Sequence, residues 1–413
     1  MTVMGTVPSS SSSPSGDDRS ARHRAGRSRR AGRATRRPGG SRGRTVRAER
    51  VSAGMRPAAG GGTGAPAGGR GGRIVGLDVA RALAIIGMVA VNVGPRGEPG
   101  LLGTLYDVPL GRSSVLFMLL AGVGMSILTR SSRGPGAAPL PWRTVLWRAV
   151  LLLVGGLALQ MAGHEASVIL PLYGLLFLVC LPVLRAPTWL VTALAGLFAV
   201  GGPLAWLAVR AGQDAFTIKE PTLLDPPGEI LDDILFSGSY PAVVWIAPFL
   251  LGMALGRLDL RDRRLQRGLA WGGAAAAVGA YAASHLLLLA YGEPGRTVGW
   301  DRLVSGTAHS QMPLWLVSST GAALFVLGAC LLAEPFLVRR APALAAMGRL
   351  SLTVYVGHLL ALAAIVRPGP ESLAGGYLVT TVLCVGSLVF AWLWSRRFRT
   401  GPLEALLRAP GRR

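Results

Sequence analysis

The stretch RIVGLDVARALAIIGMVAVNVG, residues 73–94, decides the fold of this chain. It is apolar over about 20 residues, the length that a helix needs to cross a bilayer. Asp78 and Arg81 are three positions apart, so on a helix their side chains share a face and can pair. Such an ionisable group costs roughly 2.5–3.5 kcal/mol in a membrane helix, and Asn92 adds a polar group near the other end. The stretch therefore predicts a membrane helix whose polar face is turned toward other helices.

The composition also indicates a membrane protein, because 51% of the 413 residues are hydrophobic. Ten apolar runs are long enough to span a bilayer. They lie at about residues 77–94, 110–129, 144–162, 166–184, 188–209, 240–256, 268–290, 313–333, 344–365 and 373–395. The sequence predicts an all-α fold, a polytopic bundle of about ten transmembrane helices.

The net charge of +23 resembles that of a nucleic-acid-binding protein, but the placement of the charges points to membrane topology instead. If the amino-terminal tail is cytoplasmic, the cytoplasmic segments hold 33 basic and seven acidic residues. The opposite side then holds six basic and twelve acidic residues. This sorting predicts that both termini are cytoplasmic, in a multi-pass protein of a bacterial cytoplasmic membrane that does not bind nucleic acid.

Residues 1–72 are rich in Arg, Gly and Ser and lack the apolar residues needed for a core, which predicts a disordered cytoplasmic tail. Three interpretations stay open: a basic arm that binds anionic lipid headgroups, a segment with no specific role, or a start of translation at Met55 that removes most of it. Residues 73–408 are predicted to form one membrane domain, and 409–413 a short basic tail.

Five motifs, in this order, resemble those of heparan-alpha-glucosaminide N-acetyltransferase-like proteins and the related YeiB-like proteins (domain of unknown function 418). They are LDVAR at 77–81 followed by Asn92, GRSSVLFMLLAGVGMS at 111–126, SYPAVVWIAPFLLGMALGR at 239–257, MGRLSLTVYVGH at 347–358 and RFRTGPLEALLR at 397–408. The resemblance implies a transmembrane acyltransferase without a permanently bound cofactor. Acetyl-CoA or another acyl-CoA would be the cytoplasmic donor, and a small molecule, sugar or other envelope glycan would be the acceptor at the far face.

One departure from the family pattern concerns the catalytic base. The acetyltransferases that the chain resembles carry a histidine in the loop after the first span, and here residues 93–111 contain none. The wider superfamily has a histidine where this chain has Asn92, and an amide cannot act as a general base near neutral pH. A non-enzymatic transporter or flippase, whose polar helix faces line a substrate path, is therefore the alternative hypothesis.

Two histidines in predicted external loops are candidates for the base. His309 has Asp301 nearby in sequence, and His164 is next to Glu165, so either ring could be oriented by a carboxylate. A loop histidine that is only solvated is the competing interpretation in both cases.

His358 is a third candidate. Ser351, Tyr355 and His358 are spaced by four and three residues, which places them on one helical face. The final helices of the superfamily resembled here show a similar spacing, which implies a site role for His358. A polar contact within the bundle is the other interpretation.

The remaining candidates divide into an external and a cytoplasmic group. Asn92 and Arg112 are predicted to stabilise a developing oxyanion together, if their helices form a hairpin. Asp78, Arg81 and Arg349 are predicted near the cytoplasmic face, where the arginines could bind the phosphates of the donor. The pair Asp78–Arg81 could equally be structural. The sequence contains no metal-binding motif.

Overall fold

The computed structural model describes residues 73–134 and 136–408, and every named secondary-structure element in these ranges is a helix. The all-α prediction is confirmed for this part of the chain. Both predicted tails, 1–72 and 409–413, lie outside the described residues. The helices are α1 Val75–Val93, α2 Leu101–Asp107, α3 Arg112–Leu128, α4 Trp142–Gln160, α5 Leu170–Val179, α6 Thr188–Arg210, α7 Pro227–Asp232, α8 Ala242–Leu255, α9 Arg263–Tyr291, α10 Pro313–Leu332, α11 Glu334–Arg340, α12 Pro342–Arg349, α13 Ser351–Ala361, α14 Leu373–Arg397 and α15 Pro402–Leu406.

Seven of the described helices are long and apolar enough to cross a membrane, or up to nine if each of two bent pairs is one span. The first pair, α7 with its π-helical extension to Ser237 and then α8, bends by 66°. The second pair, α12 and α13 with its extension to Val366, bends by 83°. The chain is thus a multi-pass helical protein.

The difference from the predicted ten spans lies in the run 166–184. Its helix α5 has only ten residues, and a 3₁₀ turn that contains Pro182 follows it. Proline lacks an amide hydrogen and cannot continue an α-helix without losing a hydrogen bond, so the apolar run is longer than the helix it forms.

Helices α1 and α3 form the centre of the bundle, and α9 and α14 lie at its edge. In the apolar windows of α1 and α3, 67% and 72% of the residues are buried, against 17% and 11% for α9 and α14. Close packing at the centre depends on glycine, as is common between membrane helices. A Cβ added at Gly122 would lie 2.0 Å from the backbone oxygen of Phe249 in α8. A Cβ added at Gly348 would lie 1.7 Å from the backbone oxygen of Asp78 in α1.

The carboxy-terminal segment folds back onto the start of α13. The carboxylate of Glu404 in α15 accepts hydrogen bonds from the backbone amides of Leu352 (2.8 Å) and Thr353 (3.0 Å). These amides have no partner within the helix, so Glu404 stabilises its first turn. On the neighbouring side, Arg148 of α4 donates to the Leu407 oxygen at 3.2 Å.

Candidate active site

A basic cavity of about 950 Å³ lies at the end of the bundle that the charge pattern predicts to be cytoplasmic. Its walls come from helices α1, α3, α4, α5 and α13 and from the segment after α8. Six arginines line it: Arg73, Arg81, Arg130, Arg148, Arg257 and Arg261. Asp78 and Asp259 are the carboxylates among its described lining residues, so cations are in excess. A cavity of this charge favours an anionic ligand.

The pair Asp78–Arg81 forms part of the cavity wall. Asp78 is 2% exposed, and its Oδ1 accepts from Arg81 at 3.1 Å and from Arg73 at 2.8 Å. The pairing predicted from the spacing is confirmed. Two arginines share one carboxylate, so the group retains a positive charge toward the cavity.

Other arginines of the cavity are already engaged with backbone. Arg257 donates to the Ala186 oxygen and, at 3.1 Å, to the Val183 oxygen, which holds the turn after α5. Arg349, predicted from the sequence to bind the donor, is exposed and is not among the residues that line the basic cavity.

Aromatic rings connect the deep end of the basic cavity to His358. Phe117 and Tyr173 line the cavity, and their ring centroids are 5.6 Å apart. Phe117 stacks on Tyr355 at 6.1 Å, and Tyr355 meets the His358 ring edge-on at 5.2 Å. The rings are buried and packed against one another, so they form a continuous aromatic contact from the basic cavity to His358.

Asn92 and His358 lie side by side, a contact that the sequence interpretation did not predict. Asn92 Nδ2 is 3.2 Å from His358 Nε2, across α1 and α13. An amide nitrogen can only donate, so Nε2 is the acceptor and the imidazole proton is assigned to Nδ1. His358 is 3% exposed, and its Nδ1 has no partner among the described residues.

Arg367, which the sequence interpretation missed, holds the Asn92 end of this pair. Its Nη2 donates to the Asn92 backbone oxygen at 2.8 Å and its Nε to the His164 backbone oxygen at 2.9 Å. It also lies 3.5 Å from the Glu165 carboxylate. One side chain thus joins the end of α1, the turn before α5 and the loop before α14.

The structure does not support His164 as a base. The side chain is fully buried, with Nε2 2.9 Å from the Leu159 oxygen and Nδ1 accepting from the Ala166 amide at 3.1 Å. Burial lowers its pKa from the ordinary value. Glu165 pairs with Arg367 rather than orienting the ring, and both ring nitrogens serve the turn.

His309 belongs to an aromatic cluster formed with Tyr240, Trp245 and Trp315. Its ring centroid is 5.7 Å from that of Tyr240 and 5.9 Å from each of the two Trp rings. Burial is the largest cause that lowers the pKa of His309, to about 4, so the ring is neutral at pH 7. Asp301 does not orient it: the carboxylate accepts from the Gly295 amide at 3.0 Å, and His309 Nδ1 has no partner among the described residues.

Gln311, a second residue that the sequence interpretation missed, holds the aromatic cluster together. Its Oε1 accepts from Trp245 Nε1 at 3.0 Å and its Nε2 donates to the Ser239 oxygen at 3.2 Å. His309 and Gln311 both have positive φ, 59° and 64°, which is costly for residues other than glycine. Strain of this kind persists where the surroundings fix the conformation. The polar run SGTAHSQMP before a span was the available signal.

Arg112 belongs neither to the Asn92–His358 pair nor to the aromatic cluster around His309. It donates to the Val108 oxygen one turn earlier, at 3.1 Å, and its electrostatic neighbour is Tyr281 of α9. No contact between Arg112 and Asn92 is present among the described residues. The described residues also contain no group of three or more His, Cys, Asp or Glu side chains suited to a metal ion.

Comparison with known families accounts for almost all of the described chain. Residues 73–289, more than half of the sequence, match the family described as "Heparan-alpha-glucosaminide N-acetyltransferase, catalytic". Residues 253–410 match the family described as "Protein of unknown function (DUF418)". No curated protein matches the chain. The first match includes Asn92 and the arginines of the basic cavity, and the second includes His309, His358 and Arg367.

Proposed function

This chain belongs to the family of the heparan-alpha-glucosaminide N-acetyltransferase catalytic domain, and we propose that it transfers an acyl group across a bacterial cytoplasmic membrane. The donor is a CoA thioester on the cytoplasmic side. The acceptor is a hydroxyl or amine of a sugar or another envelope component on the outer side. The proposal places both termini in the cytoplasm, as the charge sorting predicts, with the short α5 and the turn after it counted as the tenth membrane crossing.

The basic cavity supports the donor half of the proposal. Its volume of about 950 Å³ is at the upper end of the range for small-molecule sites. Arginine is the side chain best suited to phosphate, and Arg81 and Arg73 keep a net positive charge beside Asp78. The thioester arm would lie along the rings of Phe117 and Tyr173 that line the cavity, directed toward Tyr355 and His358.

The Asn92–His358 pair supports the transfer half and is the observation that carries the proposal. In the neutral tautomer, the lone pair of His358 Nε2 faces the Asn92 amide at 3.2 Å. An acceptor that displaces the amide presents its O–H or N–H to Nε2, and His358 takes that proton as the acceptor attacks the thioester carbon. The new C–O or C–N bond forms, the C–S bond breaks, and the proton passes to the CoA thiolate.

Asn92 would then stabilise the intermediate. Once displaced from Nε2, its amide nitrogen can donate to the carbonyl oxygen as negative charge develops there. Arg367 holds the Asn92 backbone in place and touches no reacting atom, which makes it a positioning residue. The base thus comes from α13 and the oxyanion donor from α1, so the superfamily's histidine position can be occupied by an amide.

Oriented membrane vesicles test the function. Vesicles that contain the protein receive radiolabelled acetyl-CoA on one face and an envelope acceptor pool on the other. We expect label in the acceptor pool, above an empty-vector control, only when the donor meets the cytoplasmic face. Arg349→Gln, outside the basic cavity, serves as the active control. Absence of transfer with acetyl-, propionyl- and succinyl-CoA, together with absence of CoA binding, would favour the carrier hypothesis instead.

A further inference from the structure

A second cavity, of about 390 Å³, lies where α6 ends and α7 begins, on the predicted outer side. We propose that this outer cavity binds the headgroup of an outer-leaflet aminophospholipid, with the phosphate at Arg210 and Lys219 and the ammonium group at Asp233. The proposed site does not depend on acyl transfer. Of the earlier predictions, it uses only the orientation of the chain in the membrane.

The outer cavity is lined by two buried, oppositely charged side chains, each with one polar atom that lacks a hydrogen-bond partner among the described residues. Arg210 is 8% exposed and Asp233 is 4% exposed, and both line the cavity. Arg210 Nε and Asp233 Oδ2 have no hydrogen-bond partner among the described residues. Buried polar atoms are rarely left without one, so this opposite pair points to a ligand that carries both charges.

The cation side of the outer cavity suits a phosphate. Lys219 is the only lysine among 43 basic residues, and its Nζ lies 3.8 Å from Asp233 Oδ2, beyond hydrogen-bond distance. Its contact with the Glu229 carboxylate is the largest cause that raises its pKa, so the ammonium stays charged. Arg210 also lines the cavity; its Nη1 and Nη2 donate to Ser237 and to the Thr217 oxygen, and its Nε has no partner among the described residues. Phosphate oxygens can accept from both groups.

The anion side suits an ammonium group that can donate hydrogen bonds. Asp233 Oδ2 lacks a donor, and Asp232 and Glu229 add negative charge to the lining. A primary ammonium supplies three N–H donors, whereas a trimethylammonium supplies none. The cavity should therefore prefer an ethanolamine headgroup to a choline one.

The surroundings indicate a lipid rather than a free zwitterion. Four large apolar side chains of the same segment are exposed: Ile218 51%, Leu223 46%, Leu224 80% and Leu231 49%. Exposed apolar side chains that neighbour the cavity residues in sequence are suited to contact with acyl chains at the membrane interface.

Native mass spectrometry of the purified full-length protein in detergent tests the site. The protein is mixed with phosphatidylethanolamine, phosphatidylcholine or phosphatidylglycerol, without acyl-CoA. We expect phosphatidylethanolamine to bind roughly tenfold more tightly than the other two, the size of effect that one charged hydrogen bond gives. Equal retention of phosphatidylethanolamine and phosphatidylcholine would overturn the proposal.

Variants assign the two ends of the headgroup. Asp233→Asn should remove the preference for phosphatidylethanolamine, and Lys219→Met should weaken all three lipids together. Glu293→Gln, an exposed external carboxylate outside the cavity, is the matched control and should bind as the wild type does. Thermal unfolding of each variant shows whether it is folded. If Asp233→Asn does not fold, Lys219→Met still tests the site, because Lys219 is exposed and its replacement should not disturb the fold. A folded Asp233→Asn that keeps the preference, or a folded Lys219→Met that binds as the wild type does, would contradict the assignment.

Free O-phosphoethanolamine separates a lipid from a soluble ligand. It should compete with phosphatidylethanolamine only at concentrations at least tenfold higher, and Leu224→Ser should weaken lipid retention. If the soluble compound competes equally and Leu224→Ser has no effect, the lipid assignment is wrong.

Discussion

The basic cavity and the aromatic cluster differ in how they treat charge. The cavity keeps arginines beside open space, with one buried carboxylate shared by Arg73 and Arg81. The aromatic cluster surrounds His309 with rings and holds it neutral. The basic cavity can therefore attract an anionic donor, and the neutral His309 of the aromatic cluster adds no second positive charge that would compete for it. The Asn92–His358 pair belongs to neither region and combines a lone pair on His358 Nε2 with burial of the imidazole ring.

The largest effect is expected at the Asn92–His358 pair, which lies in neither region. His358→Gln keeps a polar side chain beside Asn92 but removes the base, so kcat for acyl transfer should fall by about 10²–10⁴-fold. Initial rates of label transfer from acetyl-CoA measure this. His285→Gln, at an exposed histidine of α9, is the control and should keep the wild-type rate. A folded His358→Gln enzyme with a normal rate would move the base to another residue.

The next effect belongs to the basic cavity. Arg81→Gln removes a charged hydrogen-bond donor, so KM for the acyl-CoA should rise by about 50-fold with a much smaller change in kcat. Steady-state kinetics at varied donor concentration separate the two constants. Arg349→Gln should leave KM unchanged. The reverse result, a raised KM only in Arg349→Gln, would show that the donor binds elsewhere.

These two arginines also show what the sequence could and could not predict. The spacing of Asp78 and Arg81 is local, so their shared face follows from helix geometry. Arg349 and His358 looked like members of one straight helix at 344–365. The 83° bend between α12 and α13 places them on different helices, and only tertiary packing determines that angle.

The roles of the histidines depend on contacts between distant segments. The Asn92–His358 contact joins residues 266 positions apart, and the Arg367–Asn92 contact joins residues 275 apart. His164 looked exposed because it follows a span, whereas its ring accepts and donates within a buried turn. Periodicity predicted the helices and the polar face of α13, and it contains no information on which loop returns to which helix end.

The aromatic cluster predicts a pH-dependent stability. The pKa of His309 is about 4 in the folded protein against about 6.5 unfolded, so the unfolded state binds the proton more tightly. The contribution of the neutral His309 ring to the free energy of unfolding is complete above pH 6.5 and is lost as the pH falls toward 4. At pH 5 the loss is about 2 kcal/mol. The thermal midpoint of the wild type should therefore fall more between pH 7.5 and 5 than that of His309→Gln. His164 is present in both proteins, so its own effect on the thermal midpoint cancels in the comparison. Parallel falls would show that His309 is not buried as a neutral ring.

The smallest effect concerns the boundary between the basic cavity and the rings. The Tyr173 hydroxyl is buried without a partner among the described residues. Removing it in Tyr173→Phe should leave the thermal midpoint within experimental error of the wild type or above it, because no hydrogen bond is lost. If the hydroxyl contacts the donor, KM for acyl-CoA should rise about three- to tenfold. An unchanged KM would place the thioester arm away from Tyr173.

The folding back of the last residues has a practical consequence for handling this protein. Glu404 caps the helix that carries His358, and Leu407 lines the basic cavity. Shortening the chain ahead of Glu404 would release the first turn of that helix and remove part of a cavity wall in one cut. Affinity tags and fluorescent fusions are therefore better attached at the amino end, and activity lost after carboxy-terminal trimming should be attributed to this contact before any regulatory role is assigned.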